Sequence, residues 1–324
     1  MRYIVQSECR ADRFVADTLK IGRAEAMRLI QKEAVLCGSA PIAKAARKLK
    51  IGEAVTIDLP AAQPQNEAPI VDFDIPILYE DDDLLVINKP SGVVVHSAPS
   101  HKGATLVDWL KAKQFTLSTI SGDERAGIVH RIDKETTGAL AIAKSDRAHK
   151  ALAKQLENRA MGRIYLAVID CALTQNRIVD RPIGRHRQAR TKMAIVQNGR
   201  AAKSAFIALA ELKHGRSLIA AKLFSGRTHQ IRVHLQSIGA HIVGDTRYGY
   251  KSPKDKIVPI FLHAYTLYFI HPTSGAAVRV SAPLNACFAN LLDKSLTKEK
   301  QNETLDINYI EREFDRLCGL RENA

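Results

Sequence analysis

Cysteine is scarce and unpaired. Cys9, Cys37, Cys171, Cys287 and Cys318 are scattered over 324 residues with no CxxC pair. That spacing argues against a disulfide framework and against a zinc site, and it fits reduced thiols in a cytoplasmic protein. Long apolar runs are missing as well: none approaches the ~20 residues needed to cross a bilayer. The opening residues, Met1-Arg2-Tyr3-Ile4-Val5-Gln6-Ser7-Glu8, contain no continuous apolar h-region, so no secretory signal is expected. Internal repeats and low-complexity tracts are absent too. Acidic residues are in deficit, with 34 Asp and Glu against 48 Lys and Arg, a difference of 14, and an isoelectric point near 9.6. Such an excess points either to a polyanionic partner, of which nucleic acid is the commonest, or to a basic surface that is merely solvated.

What the chain does contain is organised around Ile128-Val129-His130-Arg131-Ile132-Asp133-Lys134-Glu135-Thr136-Thr137-Gly138-Ala139-Leu140. Cations, acids and hydroxyls are packed between apolar runs. Ile128-Val129 and Ala139 to Ile142 read as short buried strands, with the polar residues at a strand end or in a loop, where sites are usually carried. The plainer alternative is a charged hairpin in which Asp133 pairs with Arg131 or Lys134.

Residues 1–59 read as a separate module. The spacing predicts a helix around Arg10 to Ala16 with Asp12 as its N-cap, and a second from Arg23 to Glu33 with Ala26, Leu29 and Ile30 on one face. Ala34-Val35-Leu36 and Ala54-Val55-Thr56-Ile57 read as strands. Arg10, Arg13, Arg23, Arg28, Lys32, Lys44, Arg47, Lys48 and Lys50 are dense here, and would either contact phosphates or form a solvated face. Residues 60–74 open with a Pro-rich linker composition.

Strand-like Ile77-Leu78-Tyr79 and Leu84 to Ile87 flank the acidic turn Glu80 to Asp83. Asn88-Lys89-Pro90-Ser91-Gly92 interrupts the strand, and Val93 to His96 is expected to resume it. Leu106 to Ala112 reads as a helix. Ser145 is placed to cap another, running to about Asn158. Met161 to Ile169 reads as a strand with Arg163, Tyr165 and Ala167 on one face. Tyr165 is then either a core aromatic or, beside a cation and a small residue, a stacking platform, and its position favours stacking over burial. Pro182 to Met193 is a basic loop. A helix is expected to begin near Thr228, placing Thr228, His229 and Arg232 on one face. His229 and His234 lie five apart with no carboxylate between them, which is wrong for a metal pair. Phe261 to Leu267 and Val278 to Val280 read as final strands. Ile307, Ile310, Phe314 and Leu317 form one apolar helical stripe that would dock on the body.

Taken together these segments resemble the RluA family of pseudouridine synthases. HRIDKETTG at 130–138, RIYLAVI at 163–169 and GRTHQIRVH at 226–234 match its three main motifs, in order. NKPSG at 88–92, PIGRH at 182–186, KMA at 192–194 and GDTRYG at 244–249 also fall in family order. Ile132 and Thr137 replace a Leu and a Ser without changing the character of either position. The front segment (RADRFVADTL, IGRAEAMRLIQ, AVLCGSA, KLKIGEAVTI) is similar to the S-four-type RNA-binding module, in a degraded form. That module points to the RluC/RluD-like branch.

The resemblance implies an α+β fold: a mixed, mostly antiparallel central sheet with flanking helices, plus the small N-terminal α/β module. It implies a module at 1–59, a catalytic domain at 75–285 and a helical extension at 286–324. The activity implied is isomerisation of uridine to pseudouridine in RNA, with large-subunit ribosomal RNA favoured over transfer RNA, by a cytoplasmic monomer without metal or cofactor. Asp133 would be the catalytic aspartate, either attacking C1′ or starting a glycal route. Arg232 would keep it charged and aimed, and Tyr165 would stack on the extruded base. Arg131 would fill the vacated space. His130, Arg227, Arg185 and Lys192 would contact RNA. Two other classes compete: a non-catalytic RNA-binding or ribosome-assembly factor on the same scaffold, and a glycosidic hydrolase, which would want a second carboxylate to activate water.

Overall fold

The computed structural model describes residues 1–58, 69–97, 101–251 and 259–319. The chain forms two compact units, Met1–Pro69 and Ile70–Ala324. Most of the Pro-rich linker, at 60–68, lies outside the described residues.

The first unit contains β1 (Arg2–Ile4), β2 (Cys9–Arg10), α1 (Ala11–Leu19), α2 (Arg23–Gln31), β3 (Val35–Cys37), β4 (Ala40–Pro41), β5 (Lys48–Leu49) and β6 (Ala54–Ile57). The sheet order is β1-β6-β3-β4, with β2 and β5 paired separately. Val15, Ile30, Val35, Leu49 and Val55 are among the residues that close its own small core. Asp12 is not the N-cap of α1; that position belongs to Arg10. Asp12 lies instead in the first turn, fully buried, and its carboxylate takes the guanidinium groups of Arg10 at 3.0 Å and Arg23 at 2.9 Å. The Arg10 hydrogen bond, joined by Arg23, holds the Asp12 carboxyl down to about 2. A side chain that can reach two arginines is better satisfied there than on a single backbone N–H.

The second unit runs β7 (Ile77–Glu80), β8 (Leu84–Lys89), α3 (Leu106–Ala112), β9 (Thr137–Ala143), α4 (Asp146–Asn158), β10 (Gly162–Ile169), β11 (Arg177–Asp180), β12 (Ile183–Arg185), β13 (Met193–Ile195), β14 (Lys203–Leu212) and β15 (Arg216–Leu223). It continues with α5 (Gln230–Gln236), β16 (Leu262–Ile270), β17 (Ala277–Ser281), α6 (Ala286–Asp293), α7 (Lys298–Thr304) and α8 (Ile307–Cys318). Nine strands make one sheet in the order β11-β14-β15-β10-β16-β9-β8-β7, with β17 also on β16. Among its described pairings only β9 with β16 is parallel. The fold is therefore the expected mixed, mostly antiparallel sheet with flanking helices.

β9 and β10 are buried along their whole length, as strands covered on both faces must be. Tyr165, Ala167 and Ile169 pack on one face with Trp109 of α3 and Ile231 and Leu235 of α5. Ile164, Leu166 and Val168 pack on the other with Phe288, Ile310 and Phe314. The C-terminal stripe thus docks on the sheet as its spacing predicts. Local signals set the helix starts. Thr105 and Asp108 form a capping box on α3, and the Ser145 hydroxyl accepts from Ala148 N–H at the start of α4.

Four local expectations are corrected. Val93 to His96 is not a strand; Val94 makes a single bridge to Thr105. Ile128 is likewise not part of a strand; it makes one bridge, to Ile142. The basic loop at 182–193 is partly a hairpin, with Arg185 opposite Met193. α5 begins two residues later than expected, because His229 takes a left-handed φ of 56° and halts the helix ahead of Gln230.

Candidate active site

Strand register brings distant residues together. Tyr165 on β10 lies opposite Ala264 on β16, and Ala264 lies opposite Gly138 on β9. Two interstrand spacings, about 10 Å, therefore separate Tyr165 from the strand that follows the Asp133 loop. Gly138 has φ of 111°, and a Cβ there would overlap the Ala264 carbonyl oxygen. Only glycine allows the parallel pair to close at this point. The β10–β16 pairing also shifts register between Ile164 and Tyr165, and such irregularities re-aim side chains beside sites.

The Asp133 loop is held from behind by Lys89, which is completely buried. Its ammonium donates to the carbonyl oxygens of Pro90 at 2.8 Å, Val93 at 2.9 Å and Lys134 at 3.0 Å. Burial pulls Lys89 down to about 7, while Asp133 and Glu135 oppose the shift. Its carbonyl acceptors match the hydrogens of an ammonium, so the geometry suits the charged form. Gly92 N–H donates to Lys134 O at 2.9 Å, and Ser91 Oγ to Glu135 O at 3.1 Å.

Arg232 reaches the loop from α5. Its Nη1 donates to Asp133 Oδ2 at 3.1 Å, while Nε and Nη2 donate to Asp245 Oδ2 and Oδ1 at 2.7 and 2.9 Å. Asp245 is 1% exposed, and the Arg232 guanidinium lies 4.8 Å from the centre of the Tyr248 ring. Burial disfavours the charge on Arg232, but the bonds and charges of Asp245 and Asp133 outweigh it and raise its pKa. Among the described residues Oδ1 of Asp133 has no hydrogen-bond partner, and the side chain is 15% exposed, toward the pocket.

Asp133, Tyr165, Arg232, Arg131 and Arg227 all line this one pocket. Tyr165 is only 4% exposed, which corrects the expectation that it escapes burial: the ring is packed in the core, and it borders open space at the pocket it lines. Burial raises the pKa of its phenol. Arg131, two residues before Asp133, is exposed. Arg227 donates Nε–H to Ala201 O at 3.0 Å. His130 is turned inward, which corrects its expected place facing RNA. Its Nε2 accepts from Ala141 N–H at 3.0 Å, and burial pulls the ring down to about 3, so it is neutral. Arg185 and Lys192 do not line the pocket; they belong to the β12–β13 hairpin, where Arg185 Nη1 donates to Arg190 O at 3.1 Å.

Residue-level reading missed Lys89, Asp245 and Tyr248 as parts of the site. All three sit in segments noted only as motifs or turns, NKPSG and GDTRYG. Spacing places His229 on a face with Thr228 and Arg232 and excludes it as a metal ligand, but assigns it no role in the site.

The arrangement is a carboxylate fixed by a buried arginine, with one oxygen open to a pocket walled by an aromatic ring and cations. It can act on an electrophilic carbon of an anionic substrate. A family model described as RNA pseudouridylate synthase matches residues 83–237. An uncharacterized RNA pseudouridine synthase of Helicobacter pylori strain J99 is 39% identical over 317 residues, covering 94% of this chain and 95% of that protein. The chain belongs to the RNA pseudouridylate synthase family. It is an isomerase that converts uridine in RNA to pseudouridine, and its motifs are those of the RluA family. Ribosomal large subunit pseudouridine synthase D of Nitrosomonas europaea is 41% identical over 79% of this chain and 76% of that protein. Among solved structures, human RNA Pseudouridylate Synthase Domain Containing 1 matches with a TM-score of 0.55 and 26% identity, over 68% of this chain and 89% of that chain. Among the described residues no helix is long and apolar enough to cross a membrane.

Proposed function

We propose that the chain isomerises specific uridines of large-subunit ribosomal RNA, with Asp133 as the catalytic carboxylate, Arg232 as the residue that aims it and Tyr165 as the platform for the target base. The observation that carries this reading is the 3.1 Å contact from Arg232 to Asp133, made by two residues 99 apart in sequence. The relative from Nitrosomonas europaea, named for the large ribosomal subunit, supports the choice of RNA.

The reaction breaks the N1–C1′ bond, turns the base and joins C5 to C1′; a proton leaves C5 and one arrives at N1. Extruding the uridine from folded RNA costs a few kcal/mol. Exposed Arg131 stands at the pocket where it can fill the vacated space, and Arg227, with Arg185 and Lys192 on their hairpin, supplies phosphate contacts. The module at 1–59, within the first unit, serves as an S-four-type RNA-binding module. Asp12 fixes Arg10 and Arg23 while leaving their side chains 47% and 60% exposed, so both can meet phosphates without first being ordered. The catalytic domain spans 75–285, and the extension at 286–324 braces the sheet through Phe288, Ile310 and Phe314.

The test is tritium release from large-subunit RNA labelled at uridine C5. Asp133→Ala should abolish release while RNA binding survives. Release by the variant at the wild-type rate would refute the assignment.

A further inference from the structure

His229 makes a set of contacts that the mechanism above leaves unused. Its Nδ1 lies 2.6 Å from the Tyr248 hydroxyl, and that hydroxyl accepts from Met193 N–H at 2.8 Å. The two rings meet edge to face with centroids 5.5 Å apart. A tyrosine hydroxyl has one hydrogen, and among the described residues His229 Nδ1 is its sole acceptor. Tyr248 therefore donates to Nδ1, which leaves the ring proton on Nε2. That nitrogen points into the pocket, 3.9 Å from Asp133 Oδ2, too far for a hydrogen bond to the carboxylate. The side chain is 14% exposed, and the residue holds its position through a left-handed φ of 56°. Non-glycine residues kept in that region often mark functional sites.

We propose that His229 is a catalytic residue: its Nε2–H donates a hydrogen bond to a uracil carbonyl oxygen as the glycosidic bond breaks. When N1–C1′ cleaves heterolytically, the electron pair stays with the base and spreads over N1, O2 and O4. A donor beside the carboxylate that works at C1′ stands next to O2. It stabilises the charge without giving up its proton, and the proton that N1 gains at the end comes from elsewhere. A neutral imidazole suits this electrophilic role. Burial lowers the pKa of His229; Asp133 and Asp245 oppose this, and Arg232 and Arg247 reinforce it.

This inference rests on Asp133 acting at C1′, so Asp133→Ala is run alongside. Wild type, His229→Gln, His229→Asn and His229→Ala are compared by tritium release for kcat and KM. The Gln amide nitrogen reaches the place of Nε2, whereas the Asn amide mimics Nδ1. Asn tolerates a left-handed φ better than Gln, so stability alone would favour the Asn variant. The expected result is a loss of about 10²–10³-fold in kcat for Ala and Asn with KM unchanged, and recovery of most of that loss by Gln. Tyr248→Phe, which frees the tautomer but keeps a ring beneath Arg232, should lower kcat as well. Wild-type kcat in His229→Ala, equal activity of the Gln and Asn variants, or an effect on KM alone would overturn the proposal. Activity in Asp133→Ala would instead overturn the reading on which it rests.

Discussion

Asp245→Asn separates the aim of Arg232 from its charge. Asp245 takes two of the guanidinium's hydrogen bonds, at 2.7 and 2.9 Å, and Asp133 takes the third at 3.1 Å. Asparagine fills the same volume but offers one carbonyl oxygen, and its amide hydrogens face the arginine's own N–H groups. One charge-assisted bond is lost, worth about 1.5–3 kcal/mol. The larger penalty of about 3–5 kcal/mol for a stranded buried charge is not reached, because Asp133 still neutralises Arg232. In a domain of this size the loss lowers the melting temperature by about 3–12 °C. The guanidinium is then free to tilt, and Asp133 loses its fixed direction. A displacement near 1 Å costs on the order of 10²-fold in rate. Thermal melts and single-turnover tritium release at saturating RNA measure the two effects separately. If both the melting temperature and the single-turnover rate match wild type, Asp245 is not what aims Arg232, and the reasoning fails.

Gly138→Ala should prevent native packing of β9 on β16, since its Cβ would overlap the Ala264 carbonyl; a variant that expresses and melts like wild type would contradict the close approach. Stability should also fall on mild acidification. Burial depresses His130 to about 3 and His263 to about 4, and His263 is further tied to Thr137 Oγ1 at 2.7 Å. Unfolded histidine titrates near 6.5, so below that pH the unfolded chain binds protons that the native chain refuses. Each histidine then removes on the order of 1 kcal/mol per pH unit as pH falls toward its folded value. Urea denaturation at pH 7 and pH 5 should show the loss, and equal midpoints would refute it.

Local order was legible because it depends on local geometry. Thr105 and Ser145 mark their helix starts with side chains that reach a backbone N–H within the first turn. The faces of β10 follow from the two-residue period of a strand, and the C-terminal stripe from the helical period. The motif order named the family and singled out Asp133. Tertiary structure decided the partners. Arg131, two residues from Asp133, was the obvious mate by sequence, yet the ion pair goes to Arg232, because the register of β9, β16 and β10 sets that loop against α5. His130, next to that loop in sequence, is spent on Ala141 N–H and not on RNA, a contact the sequence does not reveal. Asp12 and Lys89, charged residues that composition would leave in solvent, are buried because arginines in one case and carbonyl oxygens in the other converge on them from separate segments. Periodicity reports which face a residue occupies; what waits on that face is settled only when strands remote in sequence close against one another.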